Sequence, residues 1–113
     1  MSKKNETLVI GASLKPNRYS NIAIKRLRDN NQPTKAIGLR TGKVEDVSIE
    51  TSLKDFKNID TVTLYLNPKR QVDYYDYIIG LQPRRVIFNP GTENPDFYKM
   101  LSNNAIEVEV ACT

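Results

Sequence analysis

At 113 residues, with 39% hydrophobic and 27% charged side chains, the chain has an ordinary soluble composition and room for one layered core rather than two. Its 17 basic and 13 acidic residues leave a net charge of +4, which suits an anionic ligand but is too small and scattered for a nucleic-acid binder. It has no histidine and one cysteine, Cys112, which removes the usual zinc sites, the Ser-His-Asp and Cys-His arrangements and any internal disulfide.

The start, MSKKNETLVI, joins a basic patch to a short apolar run with no small-residue cleavage site, so no signal peptide is expected. No segment approaches the roughly 20 apolar residues of a bilayer span, and a lone cysteine fits a reducing cytoplasm. Thr7 to Ala12 (TLVIGA) is a short β-rich run ended by glycine, the pattern of a buried strand. From Ser20, a candidate N-cap, Ala23, Ile24 and Leu27 form the inner face of a helix that closes near Asn30 to Pro33. KAIGL (35–39) is a second strand. Residues 40–60 are polar and hard to assign, with one turn of helix expected around Leu53 to Phe56.

TVTLYL (61–66) is a third strand. Asn67-Pro68 opens a second helix, because asparagine caps and proline suits the first helical position. Val72, Tyr75 and Ile79 give it an inner face, and Gly80 is expected to end it. RRVIFN (84–89) is a fourth strand, and Asn94-Pro95-Asp96 starts a third helix whose inner face is Phe97, Met100 and Leu101. AIEVEV (105–110) alternates and reads as an edge strand.

Strands that alternate with helices imply an α/β, Rossmann-like three-layer fold. The expected core is a five-stranded parallel sheet in order 3-2-1-4-5, with helices on both faces. In such sheets ligands bind outside the carboxyl ends of the strands, at the point where strand order reverses. The segments of interest are therefore 11–20, 40–43, 67–70 and 89–93.

The first contains Gly11, Ala12, Ser13, Lys15, Pro16 and Arg18. Against the dinucleotide pattern G-x-G-x-x-G it matches one glycine of three, with Ser13 and Pro16 at the other two positions. Gly11 still permits a tight turn, Ser13 offers a hydroxyl, and the following helix offers its free N–H groups to a phosphate. Lys15 and Arg18 add charge-assisted donors; the competing view is a plain strand end with solvated cations. The second segment carries Arg40, Thr41 and Lys43 where an NAD site commonly has an acid, which favours a phosphorylated ribose, as in NADP or coenzyme A. The third places Lys69 and Arg70 behind the Asn67-Pro68 cap, where the helix dipole disfavours cations and a ligand phosphate would relieve them. The fourth, Asn89 to Glu93, reads as a turn. Tyr74 and Tyr77 are expected near the surface and Tyr75 inward, an arrangement that suits a subunit contact better than base stacking.

LVIGASLKPNRYSNIAIKRL, IGLRTGK, VTLYLNPKRQVDYYDYI and VIFNPGTENPDFYKML together resemble the small stand-alone CoA-binding proteins. These are similar to the N-terminal CoA-binding domain of the succinyl-CoA synthetase α subunit. The resemblance runs from about Thr7 to Cys112, and its most specific part is the G-A-S-x-x-P stretch. It implies one CoA-binding domain over 1–113, with the ligand across the carboxyl ends of the strands. Gly11, Ala12, Ser13, Lys15 and Pro16 would line the pyrophosphate, Arg40 and Thr41 the adenosine and its 3′-phosphate, and Asn67 and Pro68 the pantetheine path. Asn17 stands where many members have glycine, and Arg40-Thr41 replaces a frequent Asn-Pro.

The synthetase works through a phosphorylated histidine, which this chain lacks, so ligase activity is not expected. The leading expectation is non-catalytic binding of coenzyme A or an acyl-CoA, with no catalytic residue, no metal, no nucleic acid and no membrane. The alternatives are an NADP-binding reductase or sensor domain and an interaction domain that has lost its ligand. Tight burial of Ser13 and Lys15 would favour the last. A homodimer or another protein partner is left open. Cys112 reads as a small buried hydrophobe rather than a catalytic thiol.

Overall fold

The computed structural model describes residues 4–111, and the expectation for Cys112 lies outside them. In chain order the elements are β1 (Glu6–Ala12), α1 (Tyr19–Asp29), β2 (Thr34–Gly38), β3 (Gly42–Val44), β4 (Val47–Glu50) and β5 (Ile59–Leu64). Then follow α2 (Pro68–Gln71), a 3₁₀ turn (Val72–Tyr74), α3 (Tyr75–Leu81), β6 (Arg85–Phe88), α4 (Pro95–Asn103) and β7 (Glu107–Val110).

Thr7 to Ile10 are buried without alternation, because β1 is covered on both faces and paired on both edges. Val9 lies in parallel register with Ala36 of β2 and with Thr63 of β5. On one side of the sheet Ile24 of α1 packs on Val9, Ala36 and Ile49, with Leu27 alongside. On the other, Ile78, Phe97 and Leu101 close over Leu8, Ile10, Val62, Leu64, Val86 and Phe88. Phe97 stacks on Tyr75 with ring centroids 4.3 Å apart and meets Phe88 edge-on at 5.9 Å. The result is the expected α/β three-layer architecture with a mostly parallel sheet.

The expected sheet is corrected in strand number, direction and order. The sheet has seven strands rather than five, in order β3-β4-β2-β1-β5-β6-β7, and β3 runs antiparallel to β4. The strand at 61–66 therefore pairs with β1, not with the second strand as order 3-2-1-4-5 required. The cause is a hairpin inside the polar stretch 40–60. Val44, Val47 and Ile49 are buried, Ile49 pairs in parallel with Ala36, and β4 thereby occupies the free edge of β2. β5 takes the remaining edge of β1. The hairpin turns on Glu45-Asp46, with Glu45 at φ 55°, and Arg28 of α1 pins the turn through Asp46 at 2.7 and 2.9 Å.

No helix forms around Leu53 to Phe56. The helix from Asn67 is broken by the 3₁₀ turn, runs through Gly80 to Leu81, and ends with Gln82 in the left-handed region at φ 52°. Gln71 is buried in place of the expected Val72, which is 57% exposed. Ser20 sits inside α1 instead of capping it; the N-cap position belongs to Arg18. Asn67 and Asn94 do cap their helices, accepting from the N–H groups of Arg70 (2.9 Å) and Phe97 (3.3 Å).

Candidate functional site

At the carboxyl end of β1 the register against β2 shifts between Ile10 and Ala12, so Gly11 is bulged, with φ +95°. A Cβ there would stand 3.0 Å from the backbone carbon of Tyr65, so only glycine lets β1 and the end of β5 run this close. Next door, a Cβ on Gly38 would stand 2.4 Å from the Ala12 carbonyl oxygen. These two glycines draw the three strand ends together and send the chain after Ala12 outward as a loop.

That loop is held from both sides. Asn21 Nδ2 donates to the Ser13 carbonyl at 2.9 Å, and the Lys15 N–H donates to Ser13 Oγ at 3.1 Å. Arg18 N–H donates to the Lys15 carbonyl at 3.1 Å and the chain then enters α1, whose first turn no side chain caps. Leu14 lies over Gly42, where an added Cβ would meet its methyl groups at 2.7 and 2.9 Å. The β1–α1 loop and the start of β3 thus touch.

Between this loop, the end of β2 and the chain after β5 lies a cleft of about 690 Å³. One wall is Gly11, Ala12, Ser13, Leu14, Lys15, Arg18, Tyr19 and Ser20, with Gly38 at the end of β2 and Leu39 and Arg40 just after it. The other is Tyr65, Leu66, Arg70, Tyr74 and Pro90. It opens where the rule for open α/β sheets places a ligand, between β1 and β5, from which the chain winds outward in both directions.

The electrostatics are one-sided. Lys15, Arg18, Arg40 and Arg70 line the cleft, and no carboxylate does. None of the four takes part in an ion pair among the described residues, whereas Arg28, Arg84 and Arg85 each hold a carboxylate. Burial pushes the Tyr65 phenol above its ordinary range, against a weaker opposing hydrogen bond with Thr63, so it faces the cleft uncharged at neutral pH. Such a surface is complementary in charge to multiply charged anions. No cluster of metal-ligating side chains occurs among the described residues, and none of their helices is long and apolar enough to cross a membrane.

Of the residues singled out from the sequence, Gly11, Ala12, Ser13, Lys15, Arg18 and Arg40 come together on one wall. Pro16, Thr41, Lys43, Asn67 and Pro68 are not part of the cleft lining. Pro16 and Thr41 are exposed in the adjoining loops, and Lys43 is exposed in β3, opposite Ser48, rather than in a loop. Asn67 spends its side-chain oxygen on the Arg70 N–H, and Pro68 begins α2. Ser13 is half-buried and Lys15 exposed, which is not the tight burial that a ligand-free interaction domain would show.

Sequence reasoning missed most of the second wall. Tyr65 and Leu66 close the strand run at 61–66, and their position at a carboxyl end was the available signal. Leu14, Tyr19 and Leu39 are large apolar side chains left exposed at the cleft mouth, a property that no periodicity reveals. Tyr74 lines the cleft from the end of the 3₁₀ turn, a break in the helix that the sequence pattern did not signal.

A family model described as a CoA binding domain matches residues 5–113. Among curated proteins no significant match is found. Among solved structures, an uncharacterized protein is 40% identical, with a TM-score of 0.92 over 98% of this chain and 92% of its own. A hypothetical protein from Pyrococcus horikoshii OT3 is 26% identical, with a TM-score of 0.83 over 96% of this chain and 76% of its own. The cell-free ID.343 protein from Thermus thermophilus is 21% identical and shares the fold, with a TM-score of 0.85 over 95% of this chain and 82% of its own.

Proposed function

This chain belongs to the CoA-binding domain family, and from that premise we propose that it holds coenzyme A, free or acylated, without catalysing a reaction on it. The observation that carries the reading is the cleft itself: four unpaired cations, no carboxylate, and the uncapped start of α1 beside them. Coenzyme A presents a pyrophosphate and a 3′-phosphate, and this donor set fits their charge. When bound, the ligand supplies a thiol that carries an acyl group. The protein's own residues bind and orient the nucleotide end.

In this reading Gly11, Ala12, Ser13, Lys15 and Pro16, with Arg18, hold the pyrophosphate. Arg40, with Thr41 and Lys43, serves the phosphorylated ribose and the adenosine. Asn67 and Pro68 border the pantetheine arm, and Arg70 adds a charge from the second wall. The whole chain, 1–113, then acts as one CoA-binding domain.

Parallel calorimetric titrations with coenzyme A, NADP and NAD test the reading, together with mass spectrometry of any nucleotide that co-purifies. Coenzyme A binding tightest, and weakening as salt rises, is the expected result. Tighter binding of NADP would move the assignment to a dinucleotide, and binding of none of the three would leave the fold without this function.

A further inference from the structure

The second wall of the cleft is fixed by one buried amide. Gln71 is fully buried, and its Nε2 donates to the carbonyls of Leu66 and Thr92, both at 2.8 Å. Its Oε1 accepts from Asn94 Nδ2 at 3.0 Å, and Asn94 also donates to the Tyr75 hydroxyl at 2.8 Å. These bonds join the chain just after β5 to the β6–α4 loop, and none reaches the loop after β1. Of the residues that Gln71 adjoins or clasps, Leu66 and Arg70 line the cleft, and two more of its lining residues lie close in sequence: Tyr74, three residues after Gln71, and Pro90, two before Thr92.

A buried glutamine with satisfied bonds can be simple scaffolding, but the helix here shows the cost of placing it. α2 stops at Gln71, the backbone tightens into the 3₁₀ turn with no proline or glycine at the break, and Val72 is left 57% exposed. Packing alone would bury the valine and expose the glutamine. Instead Gln71 is the buried residue with its bonds satisfied, and Tyr74, at the end of the turn, lines the cleft.

We propose that Gln71 is a positioning residue, which holds the Leu66–Arg70–Tyr74 wall against the Pro90 loop at the spacing that the arm of the ligand requires. The proposal rests on the coenzyme A reading. It separates two parts of the ligand: the bisphosphorylated nucleoside lies on the β1–β2 wall, which Gln71 does not touch, and the arm runs along the wall that it holds.

The experiment compares calorimetric dissociation constants for coenzyme A and for adenosine 3′,5′-bisphosphate in the wild type, Gln71→Met and Gln71→Glu. Methionine fills the space, takes the donor from two carbonyls and leaves the Asn94 amide with Tyr75 as its partner, so coenzyme A binding weakens by about tenfold or more while the bisphosphate stays within about twofold. Glutamate keeps the acceptor for Asn94 but turns an oxygen toward the two carbonyls in place of the amide donor, so its loss of coenzyme A binding is at least as large as that of methionine. Equal loss for both ligands, or no loss for coenzyme A, overturns the proposal. So does the failure of both variants to fold by circular dichroism, since Gln71 would then serve the fold itself. A wild type that binds neither ligand overturns the coenzyme A reading and this proposal with it, so the two failures are read on different proteins.

Discussion

Asn21 reaches back from the first turn of α1 to grip the carbonyl of Ser13, eight residues earlier, at 2.9 Å; its own Oδ1 is buried without a hydrogen-bond partner among the described residues. One contact thus ties the loop after β1 to the helix that follows it. Asn21→Leu should cost about 1–2 kcal/mol of stability in urea denaturation and weaken coenzyme A binding, because the loop loses its tether. Asn21→Asp turns a carboxylate toward that carbonyl, which raises the carboxyl pKa of the folded variant. Its deficit should be small at acid pH and grow as pH rises past about 4. An aspartate variant whose deficit is the same at pH 4 and pH 7 would contradict the tether.

Ser13→Ala combined with Lys15→Ala should weaken coenzyme A binding and leave the fold intact. Lys15 is exposed and Ser13 half-buried, so no core cavity opens, while a hydroxyl and a cation leave the wall. Each such contact to a phosphate is worth about 1–3 kcal/mol. Unchanged affinity in calorimetry would place the phosphates elsewhere.

Two glycines should respond to alanine with opposite sign. At Gly38 the new methyl meets the Ala12 carbonyl oxygen at 2.4 Å, backbone that cannot move aside, so Gly38→Ala should lose about 1–3 kcal/mol or more. At Gly80, inside α3, nothing lies within 4 Å, so Gly80→Ala should gain about 0.5–1 kcal/mol from helix propensity. Denaturation midpoints read both, and a Gly38→Ala variant as stable as the wild type would refute the close approach of β1 and β2.

Tyr77 should titrate late. Burial first, and the charge of Asp55 second, push its pKa up to about 12, and its hydroxyl donates to the Lys54 carbonyl at 2.6 Å. A raised folded value means that the neutral phenol is favoured in the fold. The stability it contributes is fully present below about pH 10 and is lost as pH rises through about 12. Absorbance of tyrosinate at alkaline pH should show a late step that Tyr77→Phe removes; a wild type without that step would contradict the assignment.

The strand centres were legible because their signal is local. Leu8 to Ile10, Val62 to Leu64 and Val86 to Phe88 are short β-rich runs flanked by turn chemistry, and Asn67-Pro68 and Asn94-Pro95 announce helix starts. The order of the strands was not legible, because it turned on three small apolar side chains, Val44, Val47 and Ile49, set among polar neighbours. Their hairpin turn, Glu45-Asp46, lacks the glycine or asparagine that usually marks one, and Arg28 steadies it from a distant helix. At the cleft, cations that follow strands could be found by position. The wall built by Gln71 could not, since its bonds run to carbonyls that lie 5 and 21 residues away.

Because β1 is the inner strand with β2 on one edge and β5 on the other, the order of synthesis bears on how the protein is made. β1 leaves the ribosome before either of its neighbours, and one of them, β5, follows only after α1, β2 and the β3–β4 hairpin. Helix α1 and β2 can cover one face and one edge early, but the other edge waits for Ile59 to Leu64. At about 5–20 residues per second that wait lasts several seconds, during which the apolar stretch Leu8-Val9-Ile10 has an open row of backbone groups. A nascent chain halted before residue 59 has no strand to fill that row, and it is there that a chaperone would find its grip.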